Sequence, residues 1–118
     1  MTTTAQYKAA LFTDVIHARV DSASGTSVHA AVANGDDLTF HGKGFTFNSS
    51  GVSGGTVTGV DAHIQGVTMH IQGTFNAHAL YVDIGAAQQG HSAALLALAH
   101  GHHVVVDLPN HGHTDFVL

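Results

Sequence analysis

The side chains of this sequence best suited to chemistry are its twelve histidines, spread over 118 residues. Six of them crowd late: His91, His100, His102, His103, His111 and His113. Neutral imidazole is a natural ligand for zinc, nickel and copper. His100/His102 and His111/His113 are His-x-His pairs. On an extended segment alternate side chains share a face, with Cα atoms about 6–7 Å apart, so each pair can share an ion. Asp107 and Asp115 stand close enough in sequence to add an oxygen. The candidate metal set is therefore His100, His102, His103, Asp107, His111 and His113, with Zn or Ni as the expected ion if any cofactor is held. The competing reading is that histidine replaces Asp and Lys as a weakly charged surface residue. A haem carrier is a third reading. It needs an axial histidine, with Tyr81 or Tyr7 as second ligand, and an apolar slot, and the sequence contains no haem motif.

Other chemistry finds less support. His29, His41, His63 and His70 fall on the polar phase of alternating segments, which predicts solvated or cross-strand-paired surface residues. The acids are all Asp, at positions 14, 21, 36, 37, 61, 83, 107 and 115. Most are expected at turns or caps, where seven need no role beyond turn chemistry. Around Ser49, Ser50 and Ser53 there is no G-x-S-x-G nucleophile elbow. Gly42-Lys43-Gly44 lacks the spacing of a phosphate loop. No catalytic residue is assigned, and the chain reads as a non-enzyme.

Composition narrows the classes further. Hydrophobic residues make up 44% and charged residues only 9%, against about a quarter charged in ordinary globular proteins. Three Lys and Arg face eight acids, a formal charge of −5. That argues against nucleic acid as a partner, because phosphate neutralisation needs clustered cations. Without cysteine there is neither a disulfide framework nor a thiolate metal site. No run of about eighteen apolar residues predicts a membrane span, and the first residues lack the basic and apolar regions of a cleavable secretory signal.

The elements that must position these side chains centre on Leu38 to Ile71. Leu38-Thr39-Phe40, Phe45-Thr46-Phe47, Thr56-Val57-Thr58-Gly59-Val60 and Val67-Thr68-Met69-His70-Ile71 alternate apolar and polar residues between glycine-rich turns. This is the pattern of half-buried antiparallel strands. Ser27 to Ala33 adds a strand, with an Asn34-Gly35 turn after it. Val60, Ala62 and Ile64 share one face and Val67, Met69 and Ile71 the next, with Gly66 expected as a bulge or bend between them. Ala5 to Ala18 predicts a short helix, with a strand from Asp14 to Val20 as the rival reading. Ala77–Ala87, capped by Asn76, and Ala93–His100, capped by Ser92, predict two more. Val104 to Val106 reads as a buried strand, and residues 100–118 as a histidine-rich tail laid against the rest. The expected fold is a single-domain, β-rich α+β structure: an antiparallel meander from about 27 to 71 with two short helices on one face. Unprotected strand edges predict a homo-oligomer formed through a sheet edge or a helix face.

Leu38-Thr39-Phe40, Gly42-Lys43-Gly44-Phe45-Thr46-Phe47 and Gly54-Gly55-Thr56-Val57-Thr58-Gly59-Val60, followed by Phe75 to Tyr81 and Gly90 to Leu98, resemble a small domain found upstream of RTX (haemolysin-type calcium-binding) repeats in bacterial type I-secreted proteins. The resemblance implies a non-catalytic structural or binding module at an extracellular or cell-surface location. Where that family runs into acidic calcium turns, histidines stand here instead. No calcium β-roll is therefore implied, since calcium prefers oxygen ligands.

Overall fold

Seven strands follow one another in chain order and each pairs antiparallel with its sequence neighbours. A computed structural model describes residues 4–32, 35–49, 51–64, 66–108 and 112–118. The elements are α1 (Thr4–His17), β1 (Arg19–Ala23), β2 (Ser27–Ala31), β3 (Asp37–Asn48), β4 (Gly51–Ile64), β5 (Val67–Asn76), α2 (Ala77–Gln88), α3 (Ala93–Ala99), β6 (His103–Asp107) and β7 (His113–Val117). The β-rich α+β fold matches the sequence reading, and the meander is wider than expected. β1, β6 and β7 extend it on both sides, so the histidine-rich end forms strands of the sheet and not a tail.

Alternation decides which face is buried. Val28 and Ala30 of β2, Leu38 of β3, Val60, Ala62 and Ile64 of β4, Met69 and Ile71 of β5, and Val104 and Val106 of β6 all turn inward. There they meet Leu11 of α1, Leu80 of α2, and Leu95 and Ala99 of α3 in one apolar cluster. The amino-terminal helix thus joins the two predicted ones over the same face. Among the described residues no helix is long and apolar enough to cross a membrane.

Three local expectations change. Gly66 (φ +85°) lies in the hairpin turn after β4, with Ile64 paired to Val67. The strand reverses there, so both apolar triplets face the same core and no bulge is needed. Ser92 precedes α3 without a side-chain capping bond, and its carbonyl accepts from the Leu96 N–H instead. Asp21, expected in a turn, belongs to β1. Asn76 does cap α2, its side-chain oxygen accepting from the Ala79 N–H at 2.9 Å. The Asn34 half of the proposed tight turn lies outside the described residues.

The Gly-Lys-Gly-Phe stretch has a packing role. The β3–β4 register shifts after His41 and again between Lys43 and Thr46, a bulge that swings Phe45 into the interior. The turn between β1 and β2 pins it: Gly42 N–H donates to Thr26 O at 3.0 Å and Phe45 N–H to Gly25 O at 3.1 Å. A Cβ on Gly42 would collide with the Thr56 carbonyl oxygen and stand 2.6 Å from the Phe45 ring. Glycine is needed here for close approach.

Candidate functional site

The outer face of the sheet carries two chains of alternating Asp and His. In one, His29 Nδ1 donates to Asp21 at 2.6 Å, its Nε2 lies 3.5 Å from Asp37, and His63 Nδ1 donates to Asp37 at 2.6 Å. In the other, His41 Nε2 donates to Asp61 at 2.8 Å, and His70 donates from Nδ1 to Asp61 at 2.6 Å and from Nε2 to Asp107 at 2.8 Å. Register creates these contacts, since His63 stands opposite Asp37 and His70 opposite Asp61. A further pair joins His103 Nε2 to Asp115 at 2.9 Å.

A carboxylate stands at each ring nitrogen of His70, an arrangement that favours its protonated form. The hydrogen bond to Asp61 is the chief cause raising its pKa above the usual histidine value, against a smaller opposing effect of burial. His29 is raised in the same way, mainly by Asp21. Asp37 is held below the usual carboxylate range, chiefly by the His63 hydrogen bond. Burial pushes Asp61 up, but the hydrogen bonds from His70 and His41 together outweigh it and the net shift is downward. A ring nitrogen that donates to a carboxylate offers no lone pair to a metal. The face is a charge lattice.

Among the described residues the predicted metal set is not gathered into one place. His102 and His103 are neighbours with different surroundings. The His102 ring lies 4.3 Å from Phe75 and its Nδ1 donates to Gln72 O at 3.0 Å, whereas His103 pairs with Asp115. Consecutive residues of a strand point to opposite faces. Asp107 is engaged by His70, His100 ends α3, and His113 stands opposite Asp107 in the β6–β7 register. His111 lies outside the described residues. Among the described residues no group of three or more His or Asp is placed to hold an ion. Calorimetric titration of tag-free protein with zinc at about pH 7.5 and about pH 5.5 is expected to show weak, multi-site uptake. Tight, stoichiometric, acid-sensitive binding would support the metal reading.

The inner side holds a cavity of about 630 Å³ between the end of α1, the length of α2 and the β1–β4 side of the sheet. That volume is in the range of small-molecule sites. Phe40, Phe45, Val57, Leu80 and Ile84 supply apolar walls. The space exists because small residues stand where large ones would fill it: Ala18, Ala30, Ala77 and Gly85 all border the cavity. Four polar residues share the lining: His17, Arg19, Tyr81 and Gln88. His17 donates from Nδ1 to Thr13 O at 2.7 Å, and Gln88 donates from Nε2 to Ala18 O at 3.4 Å, tying α2 to the start of β1. Among the described residues no carboxylate lines the cavity.

No protein-family model, curated protein or solved structure matches the chain.

Sequence reasoning placed His29, His41, His63 and His70 on the polar face as solvated or cross-strand-paired residues, but it missed the cavity and the carboxylate half of the lattice. The lattice had a signal: Asp37-x-Thr39-x-His41, Asp61-x-His63 and His103-x-Val105-x-Asp107 keep Asp and His on the same phase of alternating strands. The acids read as turn residues were strand partners of the histidines. The cavity had only a faint one, the run of Ala and Gly within apolar segments.

Proposed function

We propose that the chain is a non-catalytic binding module of a bacterial secreted or surface protein, and that it holds a small apolar molecule between α1, α2 and the sheet. The cavity carries this reading, because an open cleft of about 630 Å³ with largely apolar walls is of small-molecule size. The low-charge, cysteine-free composition and the resemblance to a domain of type I-secreted proteins support the location. Gly85 provides the test. It lies in α2 and borders the cavity, and a Cβ there meets nothing within 4 Å. Gly85→Leu fills space while improving helix propensity by up to about 1 kcal/mol. The apolar dye N-phenylnaphthylamine is expected to bind the wild type stoichiometrically. The variant should bind it at least about tenfold more weakly with no loss of Tm. Unchanged dye binding by a well-folded variant would overturn the reading.

One observation favours a haem carrier as a second occupant of the same space. His17 and Tyr81 both border the cavity, and His17, with Nδ1–H turned to Thr13 O, keeps Nε2 as its accepting nitrogen. Haem would use these two residues as its protein ligands. A Soret band that survives gel filtration, and that His17→Ala or Tyr81→Phe removes, is the expected result of this reading. Its absence disposes of it.

A further inference from the structure

We infer that the cavity selects an organic anion, a molecule with an apolar body and a carboxylate-like head seated at the mouth beside Arg19. The inference rests on the cavity being a ligand site and adds the charge of what it takes. The chain has only three cationic residues, Lys8, Arg19 and Lys43, and Arg19 is its sole arginine. It is also the one residue of fixed charge in the cavity lining.

Two further observations place an anion there. First, five of the eight acids are engaged away from Arg19. Asp21, Asp37, Asp61, Asp107 and Asp115 are all engaged by histidines on the outer face, and among the described residues no carboxylate pairs with Arg19. Of the three cations Arg19 is the one at the cavity lining, where its exposed guanidinium is open to a ligand. Second, the walls hold nothing to balance a cation. The other polar groups at the lining are His17, Tyr81 and Gln88, an imidazole, a phenol and an amide. Arg19 belongs to β1, the edge strand, where it stands opposite Ala31. A long side chain at a free edge keeps its head in water while its stem covers apolar surface, which suits a ligand whose head stays at the mouth. The planar guanidinium matches a carboxylate with two parallel hydrogen bonds.

Three probes with the same alkyl tail separate the possibilities: decanoate, decan-ol and decyltrimethylammonium, titrated calorimetrically into the full chain, into Arg19→Gln and into Gly85→Leu. Wild type is expected to bind decanoate roughly threefold to tenfold more tightly than the alcohol, and the ammonium most weakly. Arg19→Gln should bring decanoate down to the level of the alcohol and leave the alcohol unchanged, with an unaltered melting curve showing that the exposed substitution is tolerated. Equal affinity for acid and alcohol in the wild type overturns the anion inference and leaves the cavity reading standing. So does a preference that survives Arg19→Gln. If none of the three binds, or if Gly85→Leu binds all of them as the wild type does, the cavity reading falls and takes this inference with it.

Discussion

Gly42→Ala is expected to lower Tm by about 10–15 °C, the equivalent of about 3 kcal/mol for a chain of this size. The added methyl has nowhere to go, because it would meet the Thr56 carbonyl oxygen on one side and the Phe45 ring on the other. A flexible side chain can give by a rotamer change, but a strand backbone gives only by losing its pairing. Lys43↔Thr56 and Gly42↔Val57 are ladder pairs of the longest hairpin in the sheet, so the collision falls on its central joint. Phe45 is also a wall of the cavity. The same substitution should therefore weaken dye binding even in the molecules that remain folded. Gly25→Ala is the control. It lies in the turn that pins the bulge, and a Cβ there meets nothing within 4 Å. Thermal melts of the two variants against wild type decide the matter. A Gly42→Ala protein within about 2 °C of wild type would mean that the bulge relaxes without cost.

How far the sequence could lead depended on the range of each interaction. Alternation is local, and it placed Leu38, Val60, Met69 and Ile71 inward and His29, His41, His63 and His70 outward. Asn76 capped α2 because a cap acts over three residues. Register is a different matter. The partners Asp37 and His63 are 26 residues apart, and His70 and Asp107 are 37 apart. Nothing near either residue in the chain specifies which carboxylate it meets. The late histidines illustrate the converse. Grouping them as one ligand set gave weight to nearness in sequence, yet His102, just before β6, packs on Phe75 while His103, the first residue of β6, pairs with Asp115. A cavity is harder still to foresee. It is an absence of side-chain volume, and it appears only when Ala30 of the sheet and Gly85 of α2 are brought to face the same space.

The charge lattice makes stability depend on pH in a direction opposite to that of a simple acidic domain. Thermal stability is expected to be highest between about pH 4 and about pH 6.5, and Tm to fall by about 5–10 °C from about pH 5.5 to about pH 8.5. The sign follows from which state binds protons more tightly. His29 and His70 are raised above 6.5 in the folded protein. Their contribution is fully present below the unfolded value and disappears as pH climbs through the folded one. Asp37 and Asp61 are lowered below 3.8. Their contribution is present above that value and is lost as pH drops through the folded one. Only in the window between are both partners charged. Exposed pairs of this kind contribute about 0.2–1 kcal/mol each, and seven contacts share the face. His70 is the place to test it, because it alone among the described residues donates from both ring nitrogens within hydrogen-bonding distance of two carboxylates. His70→Gln should lower Tm more at about pH 5.5 than at about pH 8.5, because the stabilisation from a raised histidine pKa is lost as pH climbs, so the two curves converge as pH rises. Curves that run parallel would assign the pH dependence to groups outside the lattice. A wild-type Tm that climbs between those two pH values would show that these pairs do not form in solution.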